Sequence, residues 1–255
     1  MAVDAHGPSL LAERPASGVL RLTLNRPQVH NAISVALQRD LDDSLMAAAD
    51  DDDVRAVIIT GAGTDTFSSG YDLKELAEMS SEQAASAMLE RDELLWRYLT
   101  FPKPTVAAIA GAAYGAGTII AACSDLRVGG PSTRLTVSGA RYGGASLTWL
   151  LDDLVGAGRA RDLLMTSRTV DGEEAHRIGL LSRYGSDIAA EALQAATELA
   201  AQPADGLRDL KALLLDRHGR DLRARYDREN ALARSALGNR SVAEMFAGFF
   251  AGGRA

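Results

Sequence analysis

Two stretches of this sequence set glycines and small residues directly after a short apolar run, and each then opens into a helix. The first is Ala56–Leu76, AVIITGAGTDTFSSGYDLKEL. Val57–Thr60 is an unbroken, β-branched run of the kind buried on both faces of a sheet. Gly61 and Gly63 turn the chain, Phe67-Ser68-Ser69-Gly70 follows, and Asp72 is a helix N-cap with Glu75 three residues on, as in a capping box. In the second stretch, Pro104–Val128, Thr105–Ala110 reads as the strand and Gly111, Gly115 and Gly117 as the turn. A helix of small residues then runs to Ser124. The chemistry on offer is the gripping of an anion or a polarised carbonyl. Backbone N–H groups near Tyr71 and Asp72 have no helical acceptor, and small residues let a ligand approach them.

Other chemistries find less support. Gly61–Gly63 and Gly115–Gly117 both read GAG, but neither completes G-x-G-x-x-G with an acidic residue at the dinucleotide spacing. His6, His30, His176 and His218 are scattered, so no Ser–His–Asp set is placed. One cysteine and four dispersed histidines give no metal-ligand spacing, and Asp50–Asp53 reads as a solvated turn. A net charge of −7 and few aromatics argue against nucleic-acid binding. No apolar run is long enough to cross a bilayer, and Met1–Leu11 lacks the basic end and apolar core of a secretory signal. The single Cys123 excludes an internal disulfide, so a reducing cytoplasm is expected, with Cys123 as a buried helix residue.

The elements around these stretches read clearly. Leu10–Arg14 and Val19–Leu24 are short strands separated by Pro15 and Gly18; Leu20, Leu22 and Leu24 alternate with Arg21 and Thr23. Ser34–Ala49 is an amphipathic helix on Leu37, Leu41 and Leu45. Ser81–Leu99 is another, stopped by Phe101-Pro102-Lys103-Pro104. Leu150–Val155, Arg159–Thr166 and a segment from Val170 follow as helices, and residues 188–252 are almost wholly helical.

Taken together, these phrases resemble the crotonase superfamily, the enoyl-CoA hydratase/isomerase family. Thr60-Gly61-Ala62-Gly63 and Phe67–Glu75 match its TGAG and F-[SA]-[SA]-G-x-D-[LI]-K-E. Leu24-Asn25-Arg26-Pro27 with Asn31-Ala32-Ile33-Ser34 matches its opening phrase. Lys103-Pro104, Ala107-Ala108-Ile109, Gly111, Gly115, Gly117 and Asp125 match its second glycine turn, with Ala116 for the middle glycine. The resemblance implies an α/β fold, a spiral of ββα units, over residues 1–187. It implies a C-terminal helical trimerisation region over 188–255, giving a homotrimer or hexamer. The ligand it implies is an acyl-CoA thioester, with no cofactor beyond the coenzyme A of the substrate and no metal. The N–H groups of Tyr71 and Ala116 would form an oxyanion hole, and alanine at 116 is tolerable if its φ is negative. Arg26 is then a candidate phosphate contact, and Val29, His30 and Ala32 lie at the adenine. Ser68, Gly70, Asp72, Leu73, Gly115, Ile119, Ser138 and Gly139 would line the thioester.

The two general acid–base glutamates of the family's hydratases fall, by count, on Ile119 and Gly139. Neither side chain carries a proton, and loss of one such group costs about 10² to 10⁴ in rate. Tyr114, Thr118, Ser138, Arg141, Tyr142 and Ser146 are the polar residues left nearby. Arg141 or Tyr142 could stabilise an enolate. Two functions therefore stand: a CoA-thioester enzyme that is not a standard hydratase, and a catalytically idle acyl-CoA-binding homo-oligomer.

Overall fold

The apolar runs expected to be buried form the middle of a six-stranded sheet. The computed structural model describes residues 7–216, 221–239 and 241–251. His6, His218 and Arg254, the one cation of the closing segment that could reach a CoA, lie outside them. Among the described residues the strands are β1 (Leu10–Ala16), β2 (Gly18–Leu24), β3 (Val54–Gly61), β4 (Thr66–Ser68), β5 (Thr105–Ala108), β6 (Ala112–Tyr114), β7 (Leu126–Gly129), β8 (Arg134–Thr136), β9 (Val170–Asp171) and β10 (Arg183–Tyr184). One sheet runs in the order β1-β2-β3-β5-β7-β10 and the other β4-β6-β8-β9. Among these described strands, only the β1–β2 and β8–β9 pairs are antiparallel.

β3 is apolar on both faces because a layer covers each face. Val57 and Ile59 turn into the main core with Leu22, Leu41 and Leu45. Ala56 and Ile58 turn the other way, onto Val19, Val106, Val128 and the helix Ile188–Ala200 through Ala192, Ala195 and Ala196. That helix thus covers the second face of the sheet. The remaining helices, Ala204–Asp216, Asp221–Asn239, Val242–Met245 and Ala247–Phe250, follow it.

Three local expectations change. β1 continues through Pro15 to Ala16, with a register shift between Glu13 and Ala16; an edge strand tolerates the missing N–H. The expected strand to Ala110 ends at Ala108, and β6 follows before the turn, because the chain leaves one sheet for the other at Gly111. Asp72 does cap the helix Leu73–Glu78, accepting from Glu75 N, but Glu75 does not complete a capping box. Its carboxylate accepts instead from Val35 N at 2.9 Å, and Asp72 N donates to Ile33 O at 3.0 Å.

Asn31 ties these parts together. It is buried with φ +52°, its Oδ1 accepts from Arg26 N, and its Nδ2 donates to Ala62 O and Thr66 O. Cys123 sits in the helix Ala116–Cys123 at 2% exposure, and burial pushes its thiol up to about 12. In a thiol-reagent assay at pH 8, Cys123 should stay unmodified while the chain is folded and react promptly in denaturant. Rapid modification of native protein would contradict this packing.

Candidate functional site

Gly70 brings the two glycine-rich stretches together. It has φ +93°, and a Cβ placed on it would lie 2.8 Å from Tyr114 O and 3.1 Å from Ala116 N. No side chain fits there. On one side of this segment, Gly70 O accepts from Ile33 N and Asp72 N donates to Ile33 O, making a parallel bridge between Ile33 and Tyr71. Extended backbone alternates, so the N–H of Tyr71 points away from Ile33. On that opposite side β4 pairs with β6, and β6 leads directly into Gly115 and Ala116. Ala116 begins the helix Ala116–Cys123, where first-turn N–H groups have no helical acceptor. Its φ is negative, as a Cβ at this position requires, whereas Gly115 takes φ +50°. Among the described residues neither the Tyr71 nor the Ala116 N–H is engaged by a backbone acceptor.

Around these donors the expected site residues divide. Ser138 Oγ lies 3.3 Å from where a Cβ on Gly115 would be, so it borders the turn. Ser146 Oγ lies 2.5 Å from where a Cβ on Gly139 would be, so it fills that side-chain space. Ile119 is half-buried and packs against the main core. Tyr142 is half-buried with its ring 4.8 Å from that of Phe246, so the closing segment packs on this residue of its own chain. Leu73 is half-buried at the start of its helix, and His30 and Val29 are exposed in the opening loop. Ala32 is buried.

Other expected contacts are engaged within the protein. Ser68 is fully buried; its hydroxyl donates to Asn31 O and accepts from Gly70 N, so it braces the loop and cannot meet a ligand. Arg26 Nη1 donates to Ala32 O at 2.7 Å and pairs with Asp72 at 3.0 Å, which ties the opening loop to the helix cap. Arg141 is exposed and donates to Ser167 O at 3.2 Å.

Behind Tyr71 lies a feature with no sequence signal. The Arg91 guanidinium sits 4.9 Å from the centre of the Tyr71 ring and bonds Asp92, which also holds Arg234. Burial pushes the Tyr71 phenol up, so the ring stays neutral at physiological pH. Tyr71, Arg91, Ile33, Leu76, Met88 and Gln38 border a cavity of about 20 Å³. No cluster of three or more metal-ligating side chains occurs among the described residues, and no described helix is long and apolar enough to cross a membrane.

The fold and its paired turns define a crotonase-type α/β protein. Residues 14–250 match the family described as enoyl-CoA hydratase/isomerase, and the chain belongs to that family. An enoyl-CoA isomerase/hydratase of Zymoseptoria tritici is 39% identical over 172 residues, covering 64% of this chain and 55% of that protein. A short-chain-enoyl-CoA hydratase of Clostridium acetobutylicum is 32% identical, covering 64% of this chain and 63% of that one. The alignments thus span less than two thirds of these relatives. A solved enoyl-CoA hydratase/isomerase from Pseudoalteromonas atlantica superposes with a TM-score of 0.85 at 28% identity, covering 97% of this chain and 98% of that one.

Gly70→Ala should lower stability by about 1–3 kcal/mol from its positive φ alone, with the clash against Tyr114 O added to that. Urea unfolding measures it, and a wild-type midpoint would refute the close approach.

Proposed function

We propose that the protein is a CoA-thioester enzyme that holds the substrate's thioester oxygen on the N–H groups of Tyr71 and Ala116. The observation that carries this reading is the Gly70 approach, which sets two unengaged backbone donors on facing segments. Donors held in place before the reaction stabilise the charge of an enolate or tetrahedral intermediate without reorganisation. The relatives' names, an enoyl-CoA isomerase/hydratase and a short-chain-enoyl-CoA hydratase, support CoA thioesters as the ligand class; on this reading coenzyme A enters as part of the substrate and no separate cofactor is needed. Standard hydration is disfavoured, because Ile119 and Gly139 stand at the positions of the two glutamates and bring no proton. Isomerisation, C–C cleavage, thioester hydrolysis and weak hydration remain the reaction classes.

Of the remaining expected residues, Tyr142, Leu73, Ser138, Gly115, Gly139 and Ile119 are the thioester-facing set, with Val29 and His30 towards the adenine. The protein works in the cytoplasm as a homotrimer or hexamer. Support for assembly is the run of Leu210, Leu213 and Leu214, at 55–71% exposure along one helix. Sedimentation velocity should give a mass of at least three chains; a monomer at micromolar concentration would refute it.

Ala116→Pro removes one N–H at the first position of a helix, where proline is tolerated. Turnover on the best acyl-CoA substrate should fall by about 10²–10³, with little change in melting temperature. Unchanged turnover would refute the oxyanion role. The second reading, an idle acyl-CoA binder, is favoured by Ile119 and Gly139. A panel of acyl- and enoyl-CoAs decides: product from any member supports the enzyme, and binding of the panel with no product supports the idle binder.

A further inference from the structure

The helix Asp221–Asn239 turns Arg225, Tyr226 and Glu229 towards the loop that backs Gly139. Glu229 is 7% exposed, and its Oε1 accepts from Leu147 N at 2.7 Å. Its Oε2 accepts from Thr148 N at 2.7 Å and from the Thr148 hydroxyl. Arg225 donates to Thr148 O at 2.8 Å and pairs with Asp152 at 2.9 Å. The Tyr226 ring stands edge-on to Trp149, 4.8 Å between centres. A buried carboxylate is thus met by three donors of a single turn.

That turn needs holding. Leu147 has φ +61° and is fully buried, a left-handed conformation that a branched side chain rarely adopts. Its neighbour Ser146 is the residue whose Oγ fills the side-chain space of Gly139. Ser138, preceding Gly139, borders the Gly115–Ala116 turn. Neighbouring residues therefore lead from Glu229 through Leu147 and Ser146 to Gly139, and through Ser138 to Gly115, the residue before the second amide donor.

We infer that Glu229 is a positioning residue for the acyl side of the site. Its carboxylate fixes the 147–148 turn so that an uncharged, hydroxyl-bearing wall stands where the family's hydratases carry a glutamate. This rests on the thioester site proposed above. Glutamine at 229 keeps the shape but sets an NH2 group against a backbone N–H, so one donor of the turn loses its acceptor.

The test compares the affinities of butyryl-CoA and free CoA by calorimetry, because their ratio isolates the acyl side. Glu229→Gln should lower that ratio on the order of tenfold and leave the CoA affinity within about twofold, as expected when a positioned group shifts by a fraction of an ångström. Thr148→Val, which deletes only the hydroxyl, should move the ratio in the same direction by less, and it serves if Glu229→Gln does not fold. Val19→Ala, in the separate core beneath the helix Ile188–Ala200, should lower the melting temperature and leave the ratio unchanged. If the Glu229 and Thr148 variants lose melting temperature but keep the wild-type ratio, Glu229 is structural only and the inference falls. A wild-type protein that gains no affinity from the butyryl group overturns the thioester-site reading beneath it.

Discussion

The backbone at Gly70 approaches the Tyr114–Ala116 turn to a distance that excludes any side chain. That contact requires both sheets at once. β4 must pair with β6 to bring the segments side by side, and Ile33 must hold Tyr71 from the far side so that its N–H faces inward. The six-stranded sheet enters through β3 and β5, whose ends feed the two turns. A stack of parallel strand–turn–helix units is a direct way to place two such turns in register, since their parallel pairing aligns the ends from which the turns depart.

The opening loop, which the family resemblance implies is a ligand-binding loop, holds several parts of the fold together. Asn31 links it to the end of β3 and to β4, Ser68 bonds its backbone, and Arg26 reaches across to Asp72. The Arg26–Asp72 pair is partly exposed, with side chains at 23% and 16%, so its Coulombic worth is modest. Its value is geometric, because it joins the loop to the cap of the helix that follows Tyr71. A ligand at this loop would therefore meet the exposed Val29 and His30 before the guanidinium.

Much of this was legible beforehand, and the exceptions share a cause. The strand at Val57–Thr60, the helices at Ser34 and Ser81, the Asp72 cap and both glycine turns follow from local periodicity and turn chemistry, which a single sequence displays. Ser68 and Arg26 were visible as donors, but sequence does not show which acceptor a donor will meet, and both found partners inside the protein. β6 was hidden because Ala112-Ala113-Tyr114, three residues between two glycines, is too short to show a strand period. Glu229 was invisible for a plainer reason: its partners lie 81 and 82 residues away, and nothing local distinguishes it from a surface glutamate of a polar helix. Arg91 was hidden likewise, since its place over Tyr71 depends on how the helix Ser81–Leu99 packs against the extended segment at Tyr71.

On the proposed reading Ile119 and Gly139 stand in place of two carboxylates; such a replacement can mean decay or a change of task, and packing bears on which. A side chain deleted without compensation leaves a void, and voids destabilise by about 24 cal/mol per Å³. On the reading that residue 139 is a former glutamate position, its space is filled. Ser146 occupies it, on a turn strained at Leu147 and held by a buried carboxylate. Ile119 likewise packs against the core. Burying Glu229 costs desolvation that only its three donors offset. An idle binder needs no such arrangement on its acyl side, where neutral drift would leave the turn relaxed. The cost of holding Ser146 against Gly139 therefore weighs towards a site with a task of its own, one performed beside hydroxyls in place of carboxylates.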